Sequence, residues 1–218
     1  MTRGLTREQV AAQIAADIPE GAYVNLGIGA PTLVANYLPA HAEIVLHTEN
    51  GLLGMGGAPT PDRVDPDLIN AGKQPVTAVA GAAYFHHADS FAMMRGGHLD
   101  LCVLGAYQVS QNGDLANWST AASDAIPAVG GAMDLALGAK KVIVMTDLFT
   151  RAGEPKLVTE CTYPLTGVGC VSEIFTEFAV FGFEAGHFAV KRTWGDVTFD
   201  WLQDQLPLDL IDATEAAL

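Results

Sequence analysis

AYVNLGIGAPTLVANYLPAHAEIVLHTENGLLGMGG, residues 22–57, decides how the chain is read. AYVNL is a run of strand formers that stops at Gly27-Ile28-Gly29. PTLVANYL then resumes apolar residues at helical spacing, with Pro31 suited to a first helical turn. EIVLHT is a second apolar strand-like run. Strand, glycine turn, helix and strand in succession make the unit from which parallel sheets are built. The alternation continues through VTAVA, HHADSFAMMRG, LDLCVLG, GGAMDLALGAK and KVIVMT. Upstream, Thr6 can cap a surface helix over residues 6–18 that ends near Pro19-Glu20-Gly21. Beyond Thr150, KLV, CV, FAVF and HFAVK read as short strands, and residues 196–205 as a final helix. The pattern predicts one α/β domain over residues 1–218: an open, largely parallel twisted sheet with helices on both faces and a more irregular C-terminal region.

Composition narrows the function. Half of the 218 residues are apolar, enough for a sizeable core, yet no apolar run approaches the roughly 20 residues of a membrane helix. The N-terminus is amphipathic and carries acids, so neither a signal peptide nor a membrane span is expected. Cys102, Cys161 and Cys170 stand singly, without CxxC spacing, which suits reduced thiols in a cytoplasmic protein and argues against zinc. A formal charge of -14 repels nucleic acid and anionic membranes, so neither is expected as a partner. The tail after Arg192 concentrates Asp196, Asp200, Asp204, Asp209, Asp212 and Glu215, whereas Arg95 is the only Lys or Arg between Lys73 and Lys140.

Several residues could carry chemistry. NLGIGAP could free backbone N–H groups for a ligand. It is not a dinucleotide fingerprint, because Thr32 stands where a third glycine belongs, and there is no GK[ST] for a phosphate loop. Glu49 falls at the end of a parallel strand, where ligands gather in open α/β sheets, and Asn50, Gly51, Gly54, Gly56 and Gly57 are expected to keep bulk away from it. LLGMGG does not alternate as a returning strand should, which argues against a plain hairpin. His86-His87 reads as a helix start rather than a metal site, since adjacent helical side chains diverge by about 100 degrees. Ser90 and Ser119 lack the G-x-S-x-G setting of a hydrolase. Asp114 and Asn117 lie in the long polar segment of residues 111–129, as turn formers or ligand contacts.

Taken together, VNLGIGAPTLVANYL, TENGLLGMGG, DLINAGKQPVTAV, SFAMMRGGHLDLCVLGAYQVS, GDLANW, VGGAMDLALGAKKV and CTYPLTGVGCV resemble the B subunits of the two-subunit 3-oxoacid CoA-transferases, from about residue 6 to residue 192. CTYPLTGVGCV and HADSFAMMRGGHLDLCVLGA resemble most the branch acting on 3-oxoadipate in aromatic breakdown by the β-ketoadipate pathway. The resemblance implies a ping-pong transfer of CoA from succinyl-CoA to 3-oxoadipate, with Glu49 as the nucleophile that carries CoA as a glutamyl thioester. It makes Gly131 a backbone oxyanion donor, and it places Asn25, Lys73 and the Gly27–Gly29 loop against the pantetheine arm. No cofactor or metal is implied. An A subunit must complete the site, in a heterotetramer of two A and two B chains. Gly57 replaces the family's usual proline, and Glu173 stands where relatives often carry a base. Acetoacetate or another short-chain 3-oxoacid is the alternative acceptor, and a sugar-phosphate isomerase on a related scaffold is the alternative chemistry, with a carboxylate acting as base.

Overall fold

Thr6 opens the first helix as its sequence suggests. Its hydroxyl accepts from the N–H of Gln9, whose side chain accepts from the N–H of Thr6, so a reciprocal capping box starts α1 (Arg7–Asp17). The computed structural model describes residues 4–39, 41–120 and 128–214. Strands follow as β1 (Tyr23–Leu26), β2 (Val45–Thr48), β3 (Leu52–Met55), β4 (Ala78–Tyr84), β5 (Leu101–Leu104), β6 (Gln108–Ser110), β7 (Leu115–Ala116), β8 (Lys141–Met145), β9 (Leu157–Val158), β10 (Glu173–Phe175), β11 (Ala179–Glu184), β12 (His187–Thr193) and β13 (Leu210–Asp212). Ten of them form one sheet in the order β13-β12-β11-β10-β8-β5-β1-β2-β3-β4, and β7-β6-β9 form a small second sheet.

The centre of the large sheet, from β10 to β2, is entirely parallel. Alternate residues of its strands feed two cores. Cys102, Leu104, Val142 and Val144 pack with Met94, Leu135 and Leu202 from helices α2 (His87–Arg95), α3 (Ala132–Gly138) and α4 (Phe199–Gln205). Leu101, Val103, Ile143 and Met145 pack with Val10 and Ile14 of α1 on the opposite face. Helices therefore cover both faces, as the sequence predicts.

Four local expectations are corrected. PTLVANYL forms a 3-10 helix (Ala30–Asn36), not an α-helix. The strand expected in CV lies a little further on as β10, and VTAVA becomes β4, which runs antiparallel. Most important for function, LLGMGG does return as a strand: β2 and β3 pair antiparallel through His47 with Leu53 and Thr48 with Leu52. Its alternation is lost because Leu52, Gly54 and Met55 are buried and Leu53 half-buried, so both faces are covered, and because the pairing with β4 shifts register at Gly54, whose φ is +84°.

Candidate active site

Glu49 stands at the tip of this hairpin, in the three-residue connection Glu49-Asn50-Gly51. The connection is closed by the N–H of Gly51 donating to the Thr48 carbonyl at 3.2 Å, and Gly51 supplies the positive φ (+106°) such a turn needs. Thr48 Oγ1 accepts from the N–H of Leu52 at 3.0 Å, and Asn50 Nδ2 donates to the Ile69 carbonyl at 2.9 Å. The glutamate is thus held from both sides of the turn, half-buried, in an open cleft of about 430 Å3.

The cleft gathers the carboxyl ends of β1, β2 and β5 with the segment that leads into α3. Asn25, Gly27, Glu49 and Gly131, all singled out in the sequence, line it together. Gly131 is the close partner of Glu49. A Cβ built on it would collide with Glu49 Oε2 and would lie 3.3 Å from Phe91 Cζ. The other glycines serve a different purpose. A Cβ at Gly51 would strike the Phe85 carbonyl, one at Gly54 would press on Ala82 and Val79, and one at Gly56 would strike Thr77. They let the hairpin approach neighbouring backbone, so the expectation that they clear space around the carboxylate is corrected: among the described residues Gly131 does that.

Gly29 is the turn before the 3-10 helix, with φ +95° and its carbonyl accepting from Thr32 Oγ1 at 2.7 Å; it is not part of the cleft lining. Asn70, Ala71 and Gly72 line the cleft, and Lys73 follows them, exposed, with φ +63°. Asn117 and Trp118 also line it. Both are tied to the CTYPLTG segment, Asn117 Oδ1 accepting from Thr166 Oγ1 at 2.7 Å and Trp118 Nε1 donating to the Leu165 carbonyl at 3.2 Å. Asp114 is a turn former, accepting from Ser110 Oγ and the N–H of Gly169. The part of the long polar segment at residues 121–127 lies outside the described residues.

The remaining candidates have structural partners. His86 caps α2 by accepting from the N–H of Ala88. Arg95 is exposed and paired with Asp134 at 2.6 Å, and Glu173 pairs with Lys141 at 2.7 Å. Burial pushes the Cys161 and Cys170 thiols up to about 11 and Cys102 higher still. The sequence reading missed His47 and weighed Ser90 only as a hydrolase serine. Both are buried beneath Glu49, and Asn25 Nδ2 lies 3.0 Å from His47 Nδ1 while Ser90 Oγ lies 3.0 Å from His47 Nε2. The signal available was His-Thr at the end of the apolar run EIVL, polar residues placed where a strand enters a ligand site.

A carboxylate on a rigid turn, in a cleft at strand ends and against a bare backbone segment, suits attack on an acyl group. Residues 7–197 match the Coenzyme A transferase family, and the chain belongs to that family. It is 61% identical to the B subunit of the 3-oxoadipate CoA-transferase of Pseudomonas putida, over 97% of this chain and 99% of the relative. Its identity to the corresponding 3-oxoadipate CoA-transferase chain of Acinetobacter baylyi is 57%, over 97% of each chain. With the B subunit of the succinyl-CoA:3-ketoacid coenzyme A transferase of Helicobacter pylori it shares 49%, over 91% of this chain and 95% of the relative. In fold it resembles an acyl-CoA transferase of Escherichia coli O157:H7, with a TM-score of 0.71 and 21% identity, over 97% of this chain but 43% of the larger one. Glutaconate coenzyme A-transferase of Acidaminococcus fermentans follows at a TM-score of 0.65 and 15% identity, over 95% of this chain and 86% of that one. The relatives are named as B subunits, so a two-subunit enzyme is the setting.

Proposed function

We propose that this chain is the B subunit of a CoA-transferase that moves CoA from succinyl-CoA to 3-oxoadipate, with Glu49 as the nucleophile. The Glu49 carboxylate held against Gly131 in the cleft is the observation that carries the reading. A Glu49 oxygen attacks the succinyl thioester carbonyl and expels CoA thiolate, leaving a mixed anhydride. The thiolate then attacks the glutamyl carbonyl, releasing succinate and leaving CoA on Glu49 as a thioester. A carboxylate oxygen of 3-oxoadipate attacks that thioester, and the returning thiolate takes the acyl group and frees Glu49. Each tetrahedral intermediate bears an oxyanion, for which the backbone N–H of Gly131 is the donor on this chain. A carboxylate is a poor nucleophile toward a thioester, so orientation must supply much of the acceleration.

Asn25 and Lys73 are the proposed pantetheine contacts. The amide nitrogen of Asn25 is taken up by His47, so the atom it offers the cleft is Oδ1, an acceptor suited to a pantetheine N–H. The preference for 3-oxoadipate over acetoacetate rests on the higher identity to the 3-oxoadipate enzymes. The partner is an A subunit, proposed as two A and two B chains in the cytoplasm, with no cofactor beyond the CoA substrates. No helix among the described residues is long and apolar enough to cross a membrane.

The experiment is to mix the chain with its A subunit, incubate with succinyl-CoA, treat with borohydride and map the modified peptide. Inactivation with the modification on Glu49, absent in Glu49→Ala, is expected. A label elsewhere, or normal turnover by Glu49→Ala, refutes the mechanism, and full activity without an A subunit refutes the split site.

A further inference from the structure

Beside the nucleophile runs a chain of buried polar groups, of which the chemistry above uses only Asn25 Oδ1. Asn25 Nδ2 reaches both the Nδ1 of His47 at 3.0 Å and its carbonyl oxygen at 3.1 Å. An amide nitrogen can only donate, so Nδ1 is the bare nitrogen and a neutral ring carries its proton on Nε2. That proton points to Ser90 Oγ at 3.0 Å, and the Ser90 hydroxyl donates to the Thr48 carbonyl at 2.9 Å. Every link then has one direction. His47 is 1% exposed, and burial lowers its pKa to about 4, so the ring stays neutral and the direction does not reverse near neutral pH.

The end of the run matters most. The Thr48 carbonyl belongs to the peptide group that leads into Glu49, and it accepts from Gly51 N–H as well as from Ser90. Both of its lone pairs are therefore engaged, which fixes the plane from which Glu49 departs the strand. Neither His47 nor Ser90 lines the cleft, so neither has the access a nucleophile or base needs.

We propose that Asn25, His47 and Ser90 are positioning residues, a one-way hydrogen-bond relay that orients the Glu49 turn for attack. This rests on Glu49 being the nucleophile. The test uses the assembled two-subunit enzyme. Ser90→Ala should slow formation of the borohydride-trapped adduct by about tenfold to a hundredfold, the scale of a small misplacement of a reacting group, with KM for acyl-CoA changed less than about threefold. Ser90→Thr, which restores the hydroxyl, should recover most of the rate. In 15N spectra of the wild-type enzyme, with His47 assigned by comparison with His47→Gln, the ring should show a bare Nδ1 and a protonated Nε2 from pH 8 down to pH 5.5. A wild-type adduct rate in Ser90→Ala, a rise in KM alone, or a His47 ring protonated on Nδ1 or titrating near its ordinary value overturns the relay. Should Ser90→Ala fail to assemble, the spectrum of the wild-type ring decides. An adduct that maps away from Glu49 refutes the nucleophile instead, and the tautomer result still stands by itself.

Discussion

Replacing Gly131 by alanine separates the fold from the chemistry. Its backbone sits at φ -85°, ψ 3°, which alanine adopts freely, so the helix start it caps should lose no more than about 1 kcal/mol. The added Cβ, however, falls on Glu49 Oε2 and 3.4 Å from Glu49 Cδ, with Phe91 Cζ 3.3 Å away on another side. The glutamate is the flexible partner, so the carboxylate must swing aside by roughly an ångström, a displacement that can cost about a hundredfold in rate. That corresponds to about 2.7 kcal/mol of barrier. Single-turnover mixing with succinyl-CoA, quenched with borohydride, reads the acylation step directly, while thermal melting and the affinity for free CoA report fold and binding. The expectation is a rate about a hundredfold lower, a melting temperature within a few degrees of wild type and CoA affinity within about threefold. Acylation at the wild-type rate would refute the reasoning, as would an equal loss of CoA affinity.

Other outcomes follow from the same geometry. Lys73 is a non-glycine residue at positive φ, so Lys73→Gly should hold or raise thermal stability, by up to about 1 kcal/mol, while lowering kcat/KM for acyl-CoA about tenfold or more; an unchanged CoA dependence moves the binding site elsewhere. The depressed pKa of His47 means that the unfolded chain takes up its proton first as pH falls. Its stabilising contribution is whole above about pH 6.5 and is lost as pH falls toward 4, by about 3 kcal/mol at most. Between pH 7.5 and pH 5 the wild type should therefore lose more melting temperature than His47→Gln, and equal losses would contradict the assignment. Cys161 and Cys170, with thiols pushed up to about 11, should react with iodoacetamide at pH 7.5 about a hundredfold more slowly than a free cysteine, as mass spectrometry can measure. With succinyl-CoA as donor, kcat/KM should favour 3-oxoadipate over acetoacetate; a ratio near one reassigns the acceptor and leaves the Glu49 chemistry intact.

The sequence was most informative where chemistry is local. The capping box at Thr6, the glycine turn after β1 and the alternating strands and helices all follow from residues within a few positions of one another. Glu49 and Gly131 were legible through the resemblance, although 82 positions apart in sequence; their contact needed the fold. The hairpin was misread because its second strand is buried on both faces, with only Leu53 half-buried, so it does not record the alternation that a half-exposed strand would. The pairing of His47 with Ser90 was missed because it joins distant segments. Ser90 sits on α2 and His47 on β2, and nothing in either segment announces that the helix sets its hydroxyl against that strand end.

The order of strands also bears on the electrostatics of the cleft. On the proposed function, a protein of charge -14 must admit an acyl-CoA, itself an anion, yet like charges repel. Asp209 and Asp212 lie at β13, at the opposite edge of the ten-stranded sheet from the Glu49 hairpin. Seven steps between neighbouring strands, at about 4.8 Å each, separate β13 from β2 by about 34 Å along the sheet. Physiological salt screens charges over about 8 Å, so that share of the acidity fades several times over before it reaches the cleft. Asp62, Asp65 and Asp67 are in the loop that runs on to Asn70 and Gly72 of the cleft lining. The width of the sheet thus works as insulation, keeping the charge of the β13 acids away from the Glu49 cleft.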